Sequence, residues 1–345
     1  MHFSFFVRSA HKASLKDERF FENHPLGGSE TAALGLARAL RRSGHRVDLL
    51  TEAEELAACR CDVFVSNRAW HPFHAGFYPG KLNYLWAHDD AQQPLLDGLR
   101  EAEVARSIYS RLDAVLLVSN YQMNRWVEEL HLPPDKACRF QNGVPTEAFS
   151  VTEESVLKRP RRAFYASVPD RGLEQLLQMW PLVQNAVPDA ELWLFSSYAL
   201  YNSQDNEDMQ ALLAHADTLK NVQRFQPVPH PELYRKIQQC RVLAYPTTFR
   251  ETSCLVAMEA MAAGCAVVST ATGALPETAW RNPLVALSEG YLDAWAMELV
   301  RVLVDDQHYR ELAVQNLDLT RWNSWDVVAR RFLRRVEEDA RRTGA

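Results

Sequence analysis

The sequence predicts an α/β fold made of two Rossmann-like domains, each with a parallel sheet covered by helices. Short apolar runs alternate with helical stretches from one end of the chain to the other. This alternation stops in a charged segment and then starts again, and 345 residues suit two domains of ordinary size. Strands that alternate with helices form parallel sheets, whose ligands bind at the carboxyl ends of the strands.

The first domain is predicted over residues 1–150. A glycine pair, Gly27-Gly28, precedes a helix over 30–42 whose apolar residues recur at helical spacing. Ser29 is the predicted N-cap of this helix and Gly44 its predicted end. The other elements predicted for this domain are strands at 2–7, 47–50, 63–66, 82–86 and 114–119, and a helix at 121–131.

The second domain is predicted over residues 163–322. A charged segment that includes Pro160 precedes it and is predicted to be a linker, 151–162. Two such domains facing each other would hold a ligand in the cleft between their sheets. The predicted elements of this domain are strands at 163–166, 191–195, 222–225, 241–245 and 266–269, and helices at 171–187, 209–216, 232–240 and 255–263.

A last helix is predicted over residues 325–342, with its start at Ser324. Trp325, Val328, Phe332 and Val336 form an apolar stripe, so we expect this helix to pack back onto the first domain. Its arginines outnumber its acidic residues. Two interpretations of that charge stay open, a solvated helix face and contact with an anionic membrane surface or a phosphate-bearing partner.

Composition excludes several classes of protein. The net charge of −6 gives no overall attraction to nucleic acid, and none is expected as a partner. The six cysteines are scattered and form no C-x-x-C pair, which favours reduced thiols and predicts no metal site. The N-terminus does not resemble a signal peptide, and no apolar run approaches 20 residues. We therefore expect a cytoplasmic protein, with the inner face of the plasma membrane as an alternative location.

Common catalytic motifs are missing from the chain. No G-x-G-x-x-G follows a predicted strand, which disfavours a nicotinamide-dependent oxidoreductase. The phosphate-binding G-x-x-x-x-G-K-[ST], the zinc motif H-E-x-x-H and the hydrolase motif G-x-S-x-G are also missing. The predicted chemistry must therefore come from another arrangement of residues.

The segment from Tyr245 to Thr270 is the densest in candidate functional residues. Glu251 stands just before a predicted helix and Glu259 lies inside it. Eight helical residues advance about 12 Å, so two carboxylates could bracket an extended ligand. Backbone N–H groups at 252–255 would point from the helix start toward an anion. The spacing alone favours a structural explanation of the pair, a charge near a helix start and a surface glutamate.

The wider context of this pair resembles the donor-binding signature of retaining GT-B-fold glycosyltransferases, especially glycosyltransferase family 4. The segment AGCAVVSTATGALPET, which begins at Ala263, is similar to that signature. Other segments agree with the family in the same order, so the resemblance covers nearly the whole chain. These segments are GGSETAALGLARALRRSGHRVDLLT, LNYLWAHDD, VSNYQMNRW with FQNGVP, and SVPDRGLEQLLQMWPLVQNAVPDAELWLF.

The resemblance implies a set of donor-binding residues. Glu251 would contact hydroxyls of the transferred sugar, and Glu259 would hold the ribose of the nucleotide. The backbone amides at the helix start would face the sugar and the diphosphate, and the glycine pair would approach the diphosphate closely. The residues of these two backbone sites are Ser253, Cys254, Leu255, Gly27 and Gly28.

The phosphate clamp departs from the family pattern. Arg171 stands where the family usually has lysine, and Ser167 stands near its usual arginine, so one cation replaces two. Arg250 or Arg162 are alternatives for the second cation.

The family also implies catalytic residues in the first domain. His88 would face the transferred sugar, and either Asp89 or Asp90, which follow it, could orient it or meet the acceptor. The alternative for His88 is a hydrogen bond to a helix start or to loop backbone. The loops over 8–26 and 68–80 would hold the acceptor.

The predicted function is a retaining, metal-independent hexosyltransferase that moves a sugar from a nucleoside diphosphate sugar to an acceptor hydroxyl, without a cofactor. The acceptor is a glycan, a lipid-linked molecule or a small molecule, and the family suggests glycan or envelope polysaccharide biosynthesis. Two alternatives stay open: a GT-B-fold nucleotide-sugar epimerase or phosphorylase, and a non-catalytic nucleotide-sugar-binding module.

Overall fold

The computed structural model describes residues 1–17, 19–198 and 206–344. Glu18, in the predicted acceptor loop over 8–26, lies outside the described residues. The chain divides into two compact units, each described by itself below. One unit comprises Met1–Phe21, Gly27–Gly143 and Asn323–Ala345, and the other comprises Glu22–Leu26 and Val144–Trp322.

The first unit contains a parallel sheet of six strands among its described residues, in the order β2-β1-β3-β4-β5-β6. Its central strands are buried on both faces, as near-continuous apolar runs in a parallel sheet should be. The strands are β1 (His2–Val7), β2 (Arg46–Leu50), β3 (Cys61–Asn67), β4 (Gly80–Ala87), β5 (Ala114–Leu117) and β6 (Ala137–Arg139). The helices are α2 (Gly28–Arg42), α3 (Ala53–Ala58), α4 (His71–His74), α5 (Ala102–Tyr109), α6 (Asn120–Glu129) and α15 (Trp325–Thr343). The short helix α1 (Phe20–Asn23) begins in this unit and ends in residues assigned to the other.

The second unit contains another parallel sheet of six described strands, in the order β12-β11-β10-β7-β8-β9. The strand order reverses between β7 and β10. The strands are β7 (Arg162–Ala166), β8 (Glu191–Phe195), β9 (Val222–Phe225), β10 (Val242–Tyr245), β11 (Ala266–Thr270) and β12 (Leu284–Val285). The helices are α7 (Glu153–Leu157), α8 (Leu173–Ala186), α9 (Glu207–Thr218), α10 (His230–Ile237), α11 (Leu255–Ala262), α12 (Leu275–Thr278), α13 (Tyr291–Val304) and α14 (Asp306–Thr320).

The structure places the unit boundary at Gly143, earlier than the predicted residue 150. The predicted linker, 151–162, contains helix α7, which belongs to the second unit. Glu153 of this helix pairs with Arg310 of α14. A charged surface on a short helix therefore explains the composition that suggested a linker.

Helix α15 packs against α2 and β4 in the first unit. The hydroxyl of Ser324 accepts a hydrogen bond from the amide of Val327, so the predicted helix start is confirmed. The Tyr84 hydroxyl donates to the buried Asp339 carboxylate over 2.8 Å, and Arg335 pairs with the same carboxylate. Within the described part of the chain, no helix is both long enough and apolar enough to cross a bilayer.

A glycine-to-alanine change in α2 is expected to destabilise the first unit. Such a change inside a helix normally stabilises it by about 1 kcal/mol. At Gly35, however, a Cβ would lie only 2.3 Å from the indole ring of Trp325. We expect Gly35→Ala to cost about 2 kcal/mol of unfolding free energy, measured by denaturant unfolding. In the Trp325→Ala background the same change should be neutral or stabilising; an equal cost in both backgrounds would contradict this packing.

Candidate active site

Two loops of the second unit lie side by side at the carboxyl edge of its sheet. The chain leaves β7 at Ala166 and β10 at Tyr245, and these paired strands flank the point where the strand order reverses. Loops that follow such strands form the ligand-binding crevice of open α/β sheets. The segments 167–172 and 246–254 therefore lie where a ligand is expected.

An ion pair joins these two loops. Arg171 Nη1 donates to Glu251 Oε1 over 2.7 Å, and the Tyr245 hydroxyl donates to the same oxygen over 2.6 Å. The Arg171 guanidinium also lies 3.3 Å from the centroid of the Phe249 ring, in a cation–π contact. The Arg171 side chain is only 21% exposed and that of Glu251 only 12%. Arg171, predicted to bind the diphosphate, is thus in direct contact with Glu251, predicted to bind the transferred sugar.

Two glycines let other backbone segments approach the loop that carries Glu251. Gly273 has a φ of +56°, and a Cβ there would lie 2.3 Å from the carbonyl oxygen of Glu251. Gly172 has a φ of +104°, and a Cβ there would lie 2.7 Å from the carbonyl oxygen of Pro246. The positive φ angles and the nearby backbone atoms both exclude a side chain at these two positions. Close backbone packing therefore fixes the loop.

Helix α11 begins directly after Cys254, which has a left-handed φ of +62°. The first amides of a helix have no partner four residues back, and the helix dipole favours an anion there. The Ser253 and Cys254 side chains are buried. Burial raises the pKa of the Cys254 thiol well above its usual range, which keeps the thiol protonated. Backbone amides at this turn are therefore the groups suited to an anionic ligand.

Glu259 lies inside α11 and is buried, with 4% of its surface exposed. The Tyr234 hydroxyl donates to Glu259 Oε1 over 2.9 Å. Burial raises the pKa of the Glu259 carboxyl to about 7, against the lowering effect of the Tyr234 hydrogen bond. A carboxylate in this position can accept hydrogen bonds from hydroxyl groups of a ligand.

The glycine pair of the first unit starts helix α2, and Gly27 is its N-cap. The prediction that Ser29 caps this helix is wrong, because the helix already begins at Gly28. The Glu30 carboxylate takes the capping role instead: Oε2 accepts from the Gly27 amide over 2.9 Å, and Oε1 accepts from the Ser9 hydroxyl. Glu30 thereby holds the glycine pair against the chain that follows β1.

His88 follows the last residue of β4 and is half-buried. Its Nε2 atom lies 2.8 Å from Oδ1 of Asn67, the last residue of β3. Burial, and then the positive charge of Arg68, lower the pKa of His88 to about 3. The imidazole is therefore neutral at physiological pH.

Asp89 is held by an arginine. Its carboxylate accepts from Nε and Nη2 of Arg68 over 2.7–3.0 Å, in a bidentate pair. Its backbone carbonyl accepts from the side chains of Gln122 and Trp126. The next residue, Asp90, accepts from the Tyr121 hydroxyl over 2.8 Å. The Asp89 carboxylate is thus engaged by Arg68, and its role in orienting His88 or meeting the acceptor stays a prediction.

Residues 159–305, all within the second unit, match the family model described as glycosyl transferases group 1. Over this segment the second unit is similar to the group 1 glycosyltransferases. The Arg171–Glu251 pair, the start of α11 and Glu259 all lie inside the matched segment. The resemblance found in the sequence is thus confirmed for this part of the chain.

Two curated relatives of this chain carry glycosyltransferase names. The D-inositol 3-phosphate glycosyltransferases of Corynebacterium glutamicum (strain R) and Corynebacterium aurimucosum are 23% and 26% identical over 255 and 252 residues. These matches cover 70% and 68% of this chain, and the chain spans 60% of the length of each relative.

Two solved structures are similar along nearly their whole length. Sucrose-phosphate synthase from Thermosynechococcus elongatus has a TM-score of 0.76 at 16% identity, and the match covers 98% of both chains. Anabaena HepE in complex with UDP-glucose has a TM-score of 0.74 at 16% identity, covering 98% of this chain and 100% of that chain. These likenesses confirm the predicted GT-B fold.

Several site residues differ from the sequence prediction or were missed by it. Arg162 is not a second phosphate cation, because it lies at the amino end of β7 and pairs there with Glu191 over 2.8 Å. The prediction missed Tyr245, Arg68 and Asn67. A polar residue at the end of a buried strand was the available signal for Tyr245 and Asn67, whereas nothing local connects Arg68 with Asp89.

The second unit is expected to lose stability as the pH rises through 7, because of Glu259. Its folded-state pKa of about 7 lies above the usual value of 4.5, so native protein binds the proton more tightly than unfolded protein. This contribution is complete below pH 4.5 and is lost by pH 7–8, on the order of 3 kcal/mol. Glu259→Gln should remove this part of the pH dependence in denaturant unfolding. A variant with the wild-type pH slope would contradict the assignment.

Proposed function

We propose that the protein is a retaining glycosyltransferase that moves a sugar from a nucleoside diphosphate sugar to an acceptor hydroxyl. The Arg171–Glu251 pair beside the start of α11 carries this proposal, because it combines a cation, a carboxylate and helix amides at the reversal point of the sheet. These groups suit a ligand that is anionic at one end and rich in hydroxyls at the other. The group 1 family match over the same residues supports it.

The donor would lie along α11 in the proposed binding mode. Glu259 accepts hydrogen bonds from the ribose hydroxyls, and the amides of Ser253, Cys254 and Leu255 meet the diphosphate. Arg171 has five N–H donors, so it can hold Glu251 and a phosphate oxygen together. Glu251 accepts from hydroxyls of the transferred sugar. Gly27 and Gly28 would contact the diphosphate from the first unit.

The chemical step needs stabilisation of the departing diphosphate. Negative charge grows on the leaving group as positive charge grows on the sugar ring. Arg171 and the helix amides stabilise the negative charge on the diphosphate. We propose front-face attack by the acceptor, whose proton passes to the departing phosphate oxygen, so the anomeric configuration is retained. A covalent glycosyl-enzyme is the alternative path. Arg171 and the helix amides supply the positive charge that a divalent cation supplies elsewhere, which supports metal-independent transfer.

We propose a chemical class for the acceptor and a cellular location for the protein. The curated relatives carry the name D-inositol 3-phosphate glycosyltransferase, and we propose a glycan, lipid-linked or small-molecule hydroxyl acceptor for this chain. The family supports a place in glycan or envelope polysaccharide biosynthesis. All six cysteines are free thiols, which fits the reducing cytoplasm that we propose as the location. The arginine-rich surface of α15 supports peripheral membrane contact only as an alternative.

A donor-hydrolysis screen tests the proposal. The protein is incubated with common nucleotide sugars, UDP-glucose first because HepE binds it, with and without EDTA and mixed acceptors. We expect one donor to release its nucleoside diphosphate, at a rate that EDTA does not change. Release that needs free phosphate, or donor isomerisation without acceptor, would indicate a phosphorylase or an epimerase. Binding without turnover of any donor would indicate a binding module.

A further inference from the structure

Asn67 contacts both predicted site segments of the first unit. It ends β3, is 1% exposed, and lies in register beside Val7 of β1 and Trp86 of β4. Its Nδ2 atom donates to the backbone carbonyl of Ser29 over 3.1 Å, and its Oδ1 atom lies 2.8 Å from Nε2 of His88. One buried amide therefore connects the first turn of α2 with the imidazole.

The contact with Ser29 determines which end of the amide faces His88. A backbone carbonyl only accepts hydrogen bonds, so the amide nitrogen of Asn67 must face Ser29. The amide oxygen then faces His88, and Nε2 must donate to it. The neutral imidazole consequently carries its proton on Nε2 and its lone pair on Nδ1.

The charged groups near His88 pair with one another or with helix α6. Arg68 lies close enough to disfavour the imidazolium, and it holds the Asp89 carboxylate. From helix α6, Tyr121 donates to Asp90, and Arg125 lies 3.7 Å from the same carboxylate. Both acidic groups that follow His88 are thus engaged by other side chains.

We propose that Asn67 is a positioning residue that holds His88 as the neutral, Nε2-protonated tautomer and connects it to the first turn of α2. This inference rests on the proposed function for its chemical consequence. In that reaction His88 meets a hydroxyl of the sugar or the acceptor through Nδ1, as a hydrogen-bond acceptor. It does not act as a general acid.

Nitrogen NMR of the full-length protein with ¹⁵N-labelled histidine tests the tautomer directly. The His88 signals are assigned by their loss in His88→Gln. We expect the pattern of an Nε2–H imidazole, unchanged between about pH 5.5 and 8. An Nδ1–H pattern, an averaged mixture of tautomers or a protonation step in this range would overturn the proposal.

Two variants of Asn67 test whether this residue fixes the His88 tautomer, and Asn83 provides a matched control. Asn83 is also buried in this sheet, but its amide bonds the backbone of Gly80. Asn67→Ala should convert the His88 signals to an averaged mixture, whereas Asn83→Ala should leave them unchanged. Asn67→Asp should raise the His88 titration midpoint by at least about one pH unit, because a carboxylate stabilises the imidazolium. A wild-type His88 pattern in Asn67→Ala would overturn the proposal.

Kinetics separate this inference from the proposed function. With an active donor, Asn67→Ala should lower kcat about tenfold and leave the donor KM within about twofold, since a misplaced imidazole affects the reacting geometry. A wild-type kcat in this variant would overturn the positioning role. A locked tautomer in a protein that turns over no nucleotide sugar would refute only the proposed function.

Discussion

Replacing Arg171 by alanine is expected to lower kcat for glycosyl transfer by about 100-fold or more. Arg171 is the cation in contact with Glu251 at the carboxyl edge of the second sheet, and we propose that it stabilises the departing diphosphate. Removal of one preorganised electrostatic group of this kind costs about 3 kcal/mol of transition-state stabilisation. Nucleoside diphosphate affinity, measured by calorimetry, should fall as well. Arg171→Lys should recover part of both losses, because it keeps the charge without the planar fork.

Arg162→Ala is the matched control for this experiment. Arg162 also pairs with a glutamate in the second unit, but at the amino end of β7. Its removal should change stability more than kcat. Equal effects of the two arginine variants on kcat, or a near-normal rate in Arg171→Ala, would refute the assignment of Arg171 to the leaving group.

Glu251→Gln is expected to lower kcat by a similar factor, about 100-fold, for a different reason. The change keeps the shape of the side chain but removes the charge that accepts from the sugar hydroxyls and pairs with Arg171. Diphosphate affinity should stay within about threefold of wild type or rise, because Arg171 then no longer pairs with a carboxylate and can interact with the phosphate alone. Transfer kinetics and calorimetry with the nucleoside diphosphate alone measure the two effects separately.

Glu191→Gln provides the corresponding control, since Glu191 is the partner of Arg162. It should leave both kcat and diphosphate affinity near wild type. A Glu251→Gln variant that loses diphosphate affinity as strongly as Arg171→Ala would show that both residues serve the phosphates. A variant with wild-type kcat would remove Glu251 from the reaction.

The alternation of strands and helices was predictable because the central strands are buried on both faces and read as continuous apolar runs. The bounds of β1 and β8 follow the prediction, and α11 begins at Leu255 as expected. β6 and β12 were missed, because strands of three and two residues are too short to show a pattern. Helix α7 was read as a linker, since it shows few apolar residues in a charged segment.

The sequence indicated candidate site residues but not the contacts between them. Glycine and glutamate positions in the chain indicated a donor pocket. The Arg171–Glu251 pair joins residues eighty positions apart, so only the strand order brings them together. The same holds for Asn67 and His88, which meet because β3 and β4 are neighbours. The capping role of Glu30 was missed because a helix start is shifted easily by one side-chain hydrogen bond.

A crystal structure of the full chain soaked with UDP, and in parallel with GDP, tests the central claim most directly. We predict that the pyrophosphate of one nucleotide lies at the first turn of α11 within hydrogen-bond distance of Arg171, with its ribose hydroxyls on Glu259. A nucleotide bound elsewhere in the second unit, with Arg171 and Glu251 still paired and no phosphate beside them, would contradict the account.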